Sequence, residues 1–312
     1  MQNQSTMQKQ SIQETYGKFF KLLFANSVAA AKIDSSNVYQ PANLGNRKIM
    51  YKLVKDNLLP GSGLGGVDNF LDFYAQVKGG KSGLILMEHY SNTDLPTLLY
   101  LLEKSGNDAL KDLALKTVAI AGMKLNEENP IVRAFAESFT RIVIYPSRSL
   151  FRNEKKALSE EEVKEEEAKA RKINFAAMRA MDACKKRGEV ILVFPSGTRY
   201  RPGHPETKRG VPEIESYLRL FDVAICVSVN GSLLEIQETG EEGSEDMLSD
   251  LICKDKVVLT ASPVINCKEF RAALLSSLSE DETDPKQKVV DALMQILEEQ
   301  HIQAEKSRLP LQ

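Results

Sequence analysis

The sequence has no long apolar run. Its longer ones, such as LILM at 84–87 and TLLYLL at 97–102, fall far short of the roughly 18–20 residues that a membrane-spanning helix needs. The first residues, MQNQSTMQKQSIQ, lack the apolar core of a secretory signal. We therefore expect neither a spanning helix nor a signal peptide. The expected location is the cytoplasm, with peripheral contact at the inner membrane left open, although a mature plastid chain would look similar.

Cysteine is scarce and the net charge is small. None of the four cysteines stands in a C-x-x-C pair, which argues against a disulfide scaffold and against a zinc site. The formal net charge of −2 provides no overall positive field, so we expect no nucleic-acid partner. Neither a metal nor another cofactor is expected, because no carboxylate cluster indicates one.

The apolar pattern changes near residue 79. Residues 11–78 repeat apolar side chains at three- and four-residue intervals, which predicts helices only. Beyond residue 79, short apolar runs alternate with helical stretches, among them a long charged helix at about 153–187. This alternation indicates the α/β class, with a mainly parallel mixed sheet flanked by helices. We predict an N-terminal helical domain at 1–78 and an α/β domain at 79–312.

Histidine is also scarce, and one of the three stands at a predicted strand-to-helix turn. The apolar run SGLILMEH ends at His89, and the helical stretch DLPTLLYLLE begins at Asp94. Across such a turn the carboxylate can fold back onto the imidazole, whereas on a continuous helix positions five apart lie about 140° apart. Two interpretations stay open at this point: a catalytic pair, or a strand-end histidine followed by a helix-capping aspartate.

A second polar cluster follows another predicted strand, EVILVFPSGTRYRPG at 189–203. Ligands bind at the carboxyl ends of the strands in parallel sheets. Glycine in the turn lets the backbone approach a ligand, and two guanidinium groups can clamp a phosphate. The alternative is a pair of surface arginines without a ligand. The residues delivered by this turn are Ser196, Gly197, Thr198, Arg199 and Arg201.

Together the two clusters resemble the motifs of the glycerolipid acyltransferases. H-x-x-x-x-D at 89–94 is followed about a hundred residues later by F-P-S-G-T-R at 194–199, and the resemblance covers roughly residues 80–265. The stretch FPSGTRYRPG and the helical N-terminal region look most like the soluble, plastid-type glycerol-3-phosphate acyltransferases. Ser196 favours that branch, because membrane-embedded lysophosphatidate acyltransferases usually carry Glu there.

The resemblance implies acyl transfer from a thioester to the sn-1 hydroxyl of glycerol-3-phosphate, the first step of phospholipid biosynthesis. His89 would take the hydroxyl proton and return it to the departing thiol, while Asp94 would hold the other ring nitrogen. Backbone N–H groups around Ser196, Gly197 and Thr198 would stabilise the oxyanion. An apolar groove for the acyl chain is expected, with no residues assigned to it.

The resemblance also implies the binding partners. Arg199, Arg201 and Arg148 would hold the phosphate of glycerol-3-phosphate. The acyl donor would be acyl carrier protein or CoA, and an acidic carrier protein would need a basic docking surface. Three alternatives remain: a lysophosphatidate acceptor, a phosphate-binding protein without turnover, and a serine hydrolase, which the missing G-x-S-x-G disfavours. The basic residues considered for docking are Arg171, Lys172, Lys185, Lys186, Arg187, Lys208 and Arg209.

Overall fold

The computed structural model describes residues 10–127, 129–146, 159–237 and 248–308. Five neighbouring parallel strands form the centre of its sheet, in the order β5-β4-β6-β3-β7. These strands are apolar along most of their length because helices cover both faces of the sheet. They are β3 (Gly83–Met87), β4 (Thr117–Gly122), β5 (Arg141–Ile144), β6 (Val190–Val193) and β7 (Val223–Asn230).

Short strands extend the sheet on both sides. On one side β1 (Tyr39–Gln40) pairs antiparallel with β5. On the other, β10 (Val258–Ala261) pairs antiparallel with β7 and parallel with β2 (Gly63–Gly65). With β11 (Ile265–Asn266) on β7, the described residues form a mixed sheet of nine strands, so the predicted α/β class is confirmed. Strands β8 (Leu234–Glu235) and β9 (Leu251–Ile252) pair antiparallel in a separate two-stranded ribbon.

The helices pack in two groups, one against each face of the sheet. Successive side chains of β3 point to opposite faces of the sheet. Ile85 and Met87 therefore belong to one apolar cluster, and Leu84 and Leu86 belong to the other. No helix in the described ranges is long and apolar enough to cross a membrane. The first group is α1 (Ile12–Asn26), α2 (Leu44–Asn57), α3 (Val67–Lys78), α4 (Asp94–Lys104), α5 (Asp108–Lys116), α6 (Lys124–Glu127) and α7 (Pro130–Ala136). The second is α8 (Glu160–Lys186), α9 (Glu213–Leu220), α10 (Cys267–Ser277) and α11 (Pro285–Arg308).

The expectation that residues 11–78 contain helices only is wrong at two points, β1 and β2. Both strands are too short to show a period of two in the sequence. In β2, glycine also removes the apolar signal of a strand. Gly65 is needed there because a Cβ would collide with the Thr260 side chain of β10. The boundary placed at residue 78 stays a prediction. Helices α1 to α3 nevertheless share an apolar cluster with the sheet, where Phe20 and Phe70 join Ile85.

Candidate active site

His89 and Asp94 meet in the turn between β3 and α4. His89 Nδ1 lies 3.1 Å from Asp94 Oδ2. The same carboxylate oxygen accepts the backbone N–H groups of Tyr90, at 2.6 Å, and Ser91, at 2.8 Å. Its other oxygen accepts the Ser91 hydroxyl at 2.8 Å. Asp94 is the first residue of α4 and binds donors that precede the helix, so it closes the turn and orients the imidazole.

The imidazole of His89 is fixed on two sides. Its ring stacks on Phe194, with centroids 3.9 Å apart and planes inclined by 15°. Because the Asp94 carboxylate accepts from Nδ1–H, Nε2 is the nitrogen that can receive a proton. Only 16% of the His89 side chain is exposed, and the ring lines a groove described below. This arrangement suits a general base whose tautomer is set by a buried carboxylate.

The second predicted cluster lies beside the first. Strands β3 and β6 are neighbours, with Leu86 opposite Val193, and both turns follow the carboxyl ends of these strands. The backbone N–H of Tyr200 donates to the His89 carbonyl at 2.7 Å and joins the two turns directly.

Within that turn the predicted oxyanion residues make local contacts. Gly197 has a φ of +65°, which favours glycine, and its N–H donates to the Phe194 carbonyl at 2.9 Å. The Ser196 hydroxyl donates to the Thr198 carbonyl at 2.7 Å. These bonds keep the turn tight against His89.

The three arginines assigned to phosphate differ in their surroundings. Arg199 is buried, and its Nη1 lies 2.6 Å from the carboxylate of Asp250. Arg201 is half-exposed, and its backbone N–H donates to the Thr207 hydroxyl at 2.9 Å. Arg148 lies outside the described residues. The structure therefore places two of the three next to the His89 turn.

Sequence reasoning missed the carboxylate that accompanies Arg199. Asp250 stands 51 residues further along the chain and belongs to none of the motifs.

Lys208 was considered only for carrier-protein docking, yet its Nζ lies 5.6 Å from the ring centre of Tyr200 and 5.9 Å from that of Tyr90. It also pairs with Glu298 of α11. Lys208 thus adds a cation beside the two turns.

Two other basic residues considered for docking bind acidic neighbours of their own chain. Lys185 Nζ lies 2.7 Å from Asp182, and Arg187 Nη2 lies 2.6 Å from Glu189. Docking of a carrier protein at this surface stays a prediction.

The residue just before His89 is a buried glutamate that binds two other elements. Glu88 is 5% exposed, and its Oε2 accepts the backbone N–H of Val229 at 2.8 Å. The same oxygen lies 2.9 Å from Nδ1 of His301, on α11. Burial, together with nearby Glu88, raises the pKa of Tyr90, so the phenol stays protonated. Through His301, α11 therefore helps to fix the start of the His89 turn.

An apolar groove, partly open to solvent, has His89 in its lining. Its walls come from α1, α4, α6, α7, β4, β5, the Phe194 turn and Leu248. Residues that line it near the two turns include Leu95, Pro96, Ala121 and Phe194. Such a groove can bury a flexible hydrocarbon chain with one end beside the imidazole.

The match to a protein-family model agrees with this geometry. The model described as Acyltransferase covers residues 71–228, half of the chain, and spans both turns. The chain belongs to the acyltransferase family. None of the curated proteins compared with this acyltransferase matches it. Family membership supports acyl transfer from an acyl donor to a glycerolipid-type acceptor.

Proposed function

We propose that this acyltransferase is a glycerol-3-phosphate 1-O-acyltransferase, using an acyl thioester carried by acyl carrier protein or CoA. The observation that carries the proposal is the position of the His89–Asp94 pair. It lies between an apolar groove, which suits the acyl chain, and a turn that bears Arg199 and Arg201, which suits a phosphate.

The proposed reaction begins at the sn-1 hydroxyl. As its oxygen attacks the thioester carbon, His89 Nε2 takes the proton, and Asp94 stabilises the resulting imidazolium. The tetrahedral intermediate collapses by breaking the carbon–sulfur bond, and the proton passes from Nε2 to the departing thiolate. No acyl-enzyme forms, because the imidazole activates the acceptor itself.

Separate groups of hydrogen-bond donors are assigned to the oxyanion and to the substrate phosphate. We assign the oxyanion to the turn of Ser196, Gly197 and Thr198, where the Gly197 N–H would have to leave the Phe194 carbonyl in order to serve. The phosphate is assigned to Arg199, Arg201 and Arg148. A guanidinium carries five N–H donors, so Arg199 can hold Asp250 and a phosphate oxygen together.

The acceptor could instead be lysophosphatidate, which presents the same phosphate and a free hydroxyl. Ser196 favours glycerol-3-phosphate by resemblance, and its hydroxyl is turned inward onto the Thr198 carbonyl. Assaying both acceptors with one donor separates the two functions.

The test is turnover with glycerol-3-phosphate and a palmitoyl thioester, with thiol release followed over time. Wild-type release should require the acceptor and should vanish in His89→Ala. His204→Ala is a matched control, because His204 is largely exposed and pairs with Glu206. Acceptor-independent release would indicate a hydrolase. Absence of release with both CoA and carrier-protein donors, from folded protein, would leave a binding protein.

A further inference from the structure

A buried cation lines the groove far from the two catalytic turns. Arg141, the first residue of β5, is 2% exposed and lies in the groove wall with Phe20, Ala136 and Phe139. Its Nη1 donates to the Ala136 carbonyl at 3.2 Å, at the end of α7. Burial lowers the pKa of Arg141 to about 10, so the guanidinium is still charged at neutral pH. The wall of a mostly apolar groove thus holds a buried cation, whose charged form the Glu137 carboxylate favours.

Strand register locates this charge relative to His89. Ile85, Leu192, Ala119 and Arg141 stand in one row across β3, β6, β4 and β5. Because strand residues rise about 3.3 Å and strands lie about 4.8 Å apart, the Arg141 backbone is about 13 Å along and about 14 Å across from that of His89. Ala119 and Ala121 line the intervening wall with small side chains. His89 and Arg141 line the same groove, so a chain that starts beside the imidazole can extend toward Arg141.

From this placement we propose that Arg141 limits the length of the acyl chain that the groove accepts. Each methylene buried in an apolar wall improves binding about fourfold. That gain stops where the chain end meets the guanidinium, because a further methylene would have to displace a buried cation from the Ala136 carbonyl that it binds. The ligand class is a saturated acyl group that reaches from His89 to Arg141. The inference rests on the proposed function only in taking the groove as the acyl site.

The experiment compares kcat/KM over acyl thioesters that lengthen in two-carbon steps. In Arg141→Met the optimum should move to longer chains, with about fifteenfold higher kcat/KM for the first donor beyond the wild-type limit. Arg141→Gln keeps an N–H donor for the Ala136 carbonyl, removes the charge and should shift in the same direction. Arg141→Lys keeps the charge and should retain the wild-type profile.

Arg308→Met is the matched control for the loss of an arginine. The Arg308 side chain is 9% exposed, and it pairs with Asp255 and Glu305 rather than lining the groove. Its chain-length profile should equal that of the wild type. If Arg141 serves only to bind the carbonyl at the end of α7, Arg141→Met and Arg141→Gln should lower stability without changing the chain-length profile.

Two results would overturn the inference. One is an unchanged profile in folded Arg141→Met and Arg141→Gln. The other is a raised KM for glycerol-3-phosphate with no change in chain preference, which would assign Arg141 to the acceptor. Equilibrium binding of free fatty acids of the same lengths gives a readout without turnover. If the wild type transfers no acyl group, the proposed function fails, while this binding series still decides the role of Arg141.

Discussion

At the residue scale, Asp94 holds the turn between β3 and α4 together, and it is the proposed partner of His89 in catalysis. Its two oxygens accept from His89, Tyr90 and Ser91, so an amide in its place would set an NH₂ group against one of these donors. We expect Asp94→Asn to lower kcat by about 10³- to 10⁴-fold, because Nδ1–H loses its carboxylate and the imidazolium its counter-charge. The KM for glycerol-3-phosphate should change little. Steady-state kinetics against both substrates measures the two constants.

Asp108→Asn is the control for this substitution. Asp108 is likewise the first residue of a helix, α5, but it is exposed and makes no contact with His89. Its variant should keep wild-type kcat. Thermal unfolding of both variants shows whether the turn has folded. A folded Asp94→Asn with wild-type kcat would remove Asp94 from the mechanism.

The candidate site residues could be predicted from the sequence because each group lies within six consecutive positions. His89, Asp94 and Arg199 stand in turns that follow apolar runs, and parallel strands bring such turns to one edge of a sheet. Partners from distant segments could not be found in this way. Asp250, His301 and Arg141 reach the site or the groove only through the fold, and none stands in a motif.

At the element scale, the central strands could be predicted because burial on both faces makes them continuous apolar runs. The predicted helix at about 153–187 is found as α8, Glu160–Lys186, where the described residues begin again at 159. Strands β1 and β2 were missed because two or three residues cannot show a period. Their place at the sheet is set by pairing with β5 and β10, which the sequence does not display.

The packing of α3 on β3 leads to a prediction about Gly83. A Cβ at Gly83 would lie 2.5 Å from Val77 Cγ2 and 2.8 Å from Phe73 Cζ, both on α3. We expect Gly83→Ala to lower the free energy of unfolding by about 1–3 kcal/mol, because the added methyl must push the helix away. Urea unfolding followed by circular dichroism measures the change.

Gly63→Ala is the matched control, since Gly63 also lies in a strand, β2, and a Cβ there meets no atom within 4 Å. Its free energy of unfolding should stay within about 0.5 kcal/mol of the wild type. Equal stability of the two variants would mean that α3 does not sit on β3 as described.

At the scale of the whole molecule, three distant segments contact the two candidate turns or the residues that hold them. Residues 248–252 bind the start of α1, where the Ile12 N–H donates to the Asp250 carbonyl at 3.0 Å. The side chain of the same Asp250 holds Arg199. From the other side, α11 supplies His301 to Glu88. The site is thus built on contacts that join the N-terminal helix and the C-terminal helix to the central strands.

The Arg199–Asp250 pair should therefore contribute strongly to global stability. Both side chains are buried, so Asp250→Asn leaves a cation without its carboxylate and should lower the free energy of unfolding by about 3–5 kcal/mol. Arg199→Met should cost a similar amount for the converse reason. The double variant should cost clearly less than the sum, because it leaves no unpaired charge. Urea unfolding of the four proteins completes the cycle.

Asp56→Asn supplies the control, because Asp56 pairs with Lys52 on the exposed side of α2 and its loss should barely move the unfolding midpoint. Additive effects of Asp250→Asn and Arg199→Met would show that the two side chains do not depend on each other.

The same variants separate an effect on stability from an effect on phosphate binding. If Arg199 also holds phosphate, Arg199→Met should raise the KM for glycerol-3-phosphate at a temperature where it is fully folded. Asp250→Asn keeps the guanidinium and should raise that KM less.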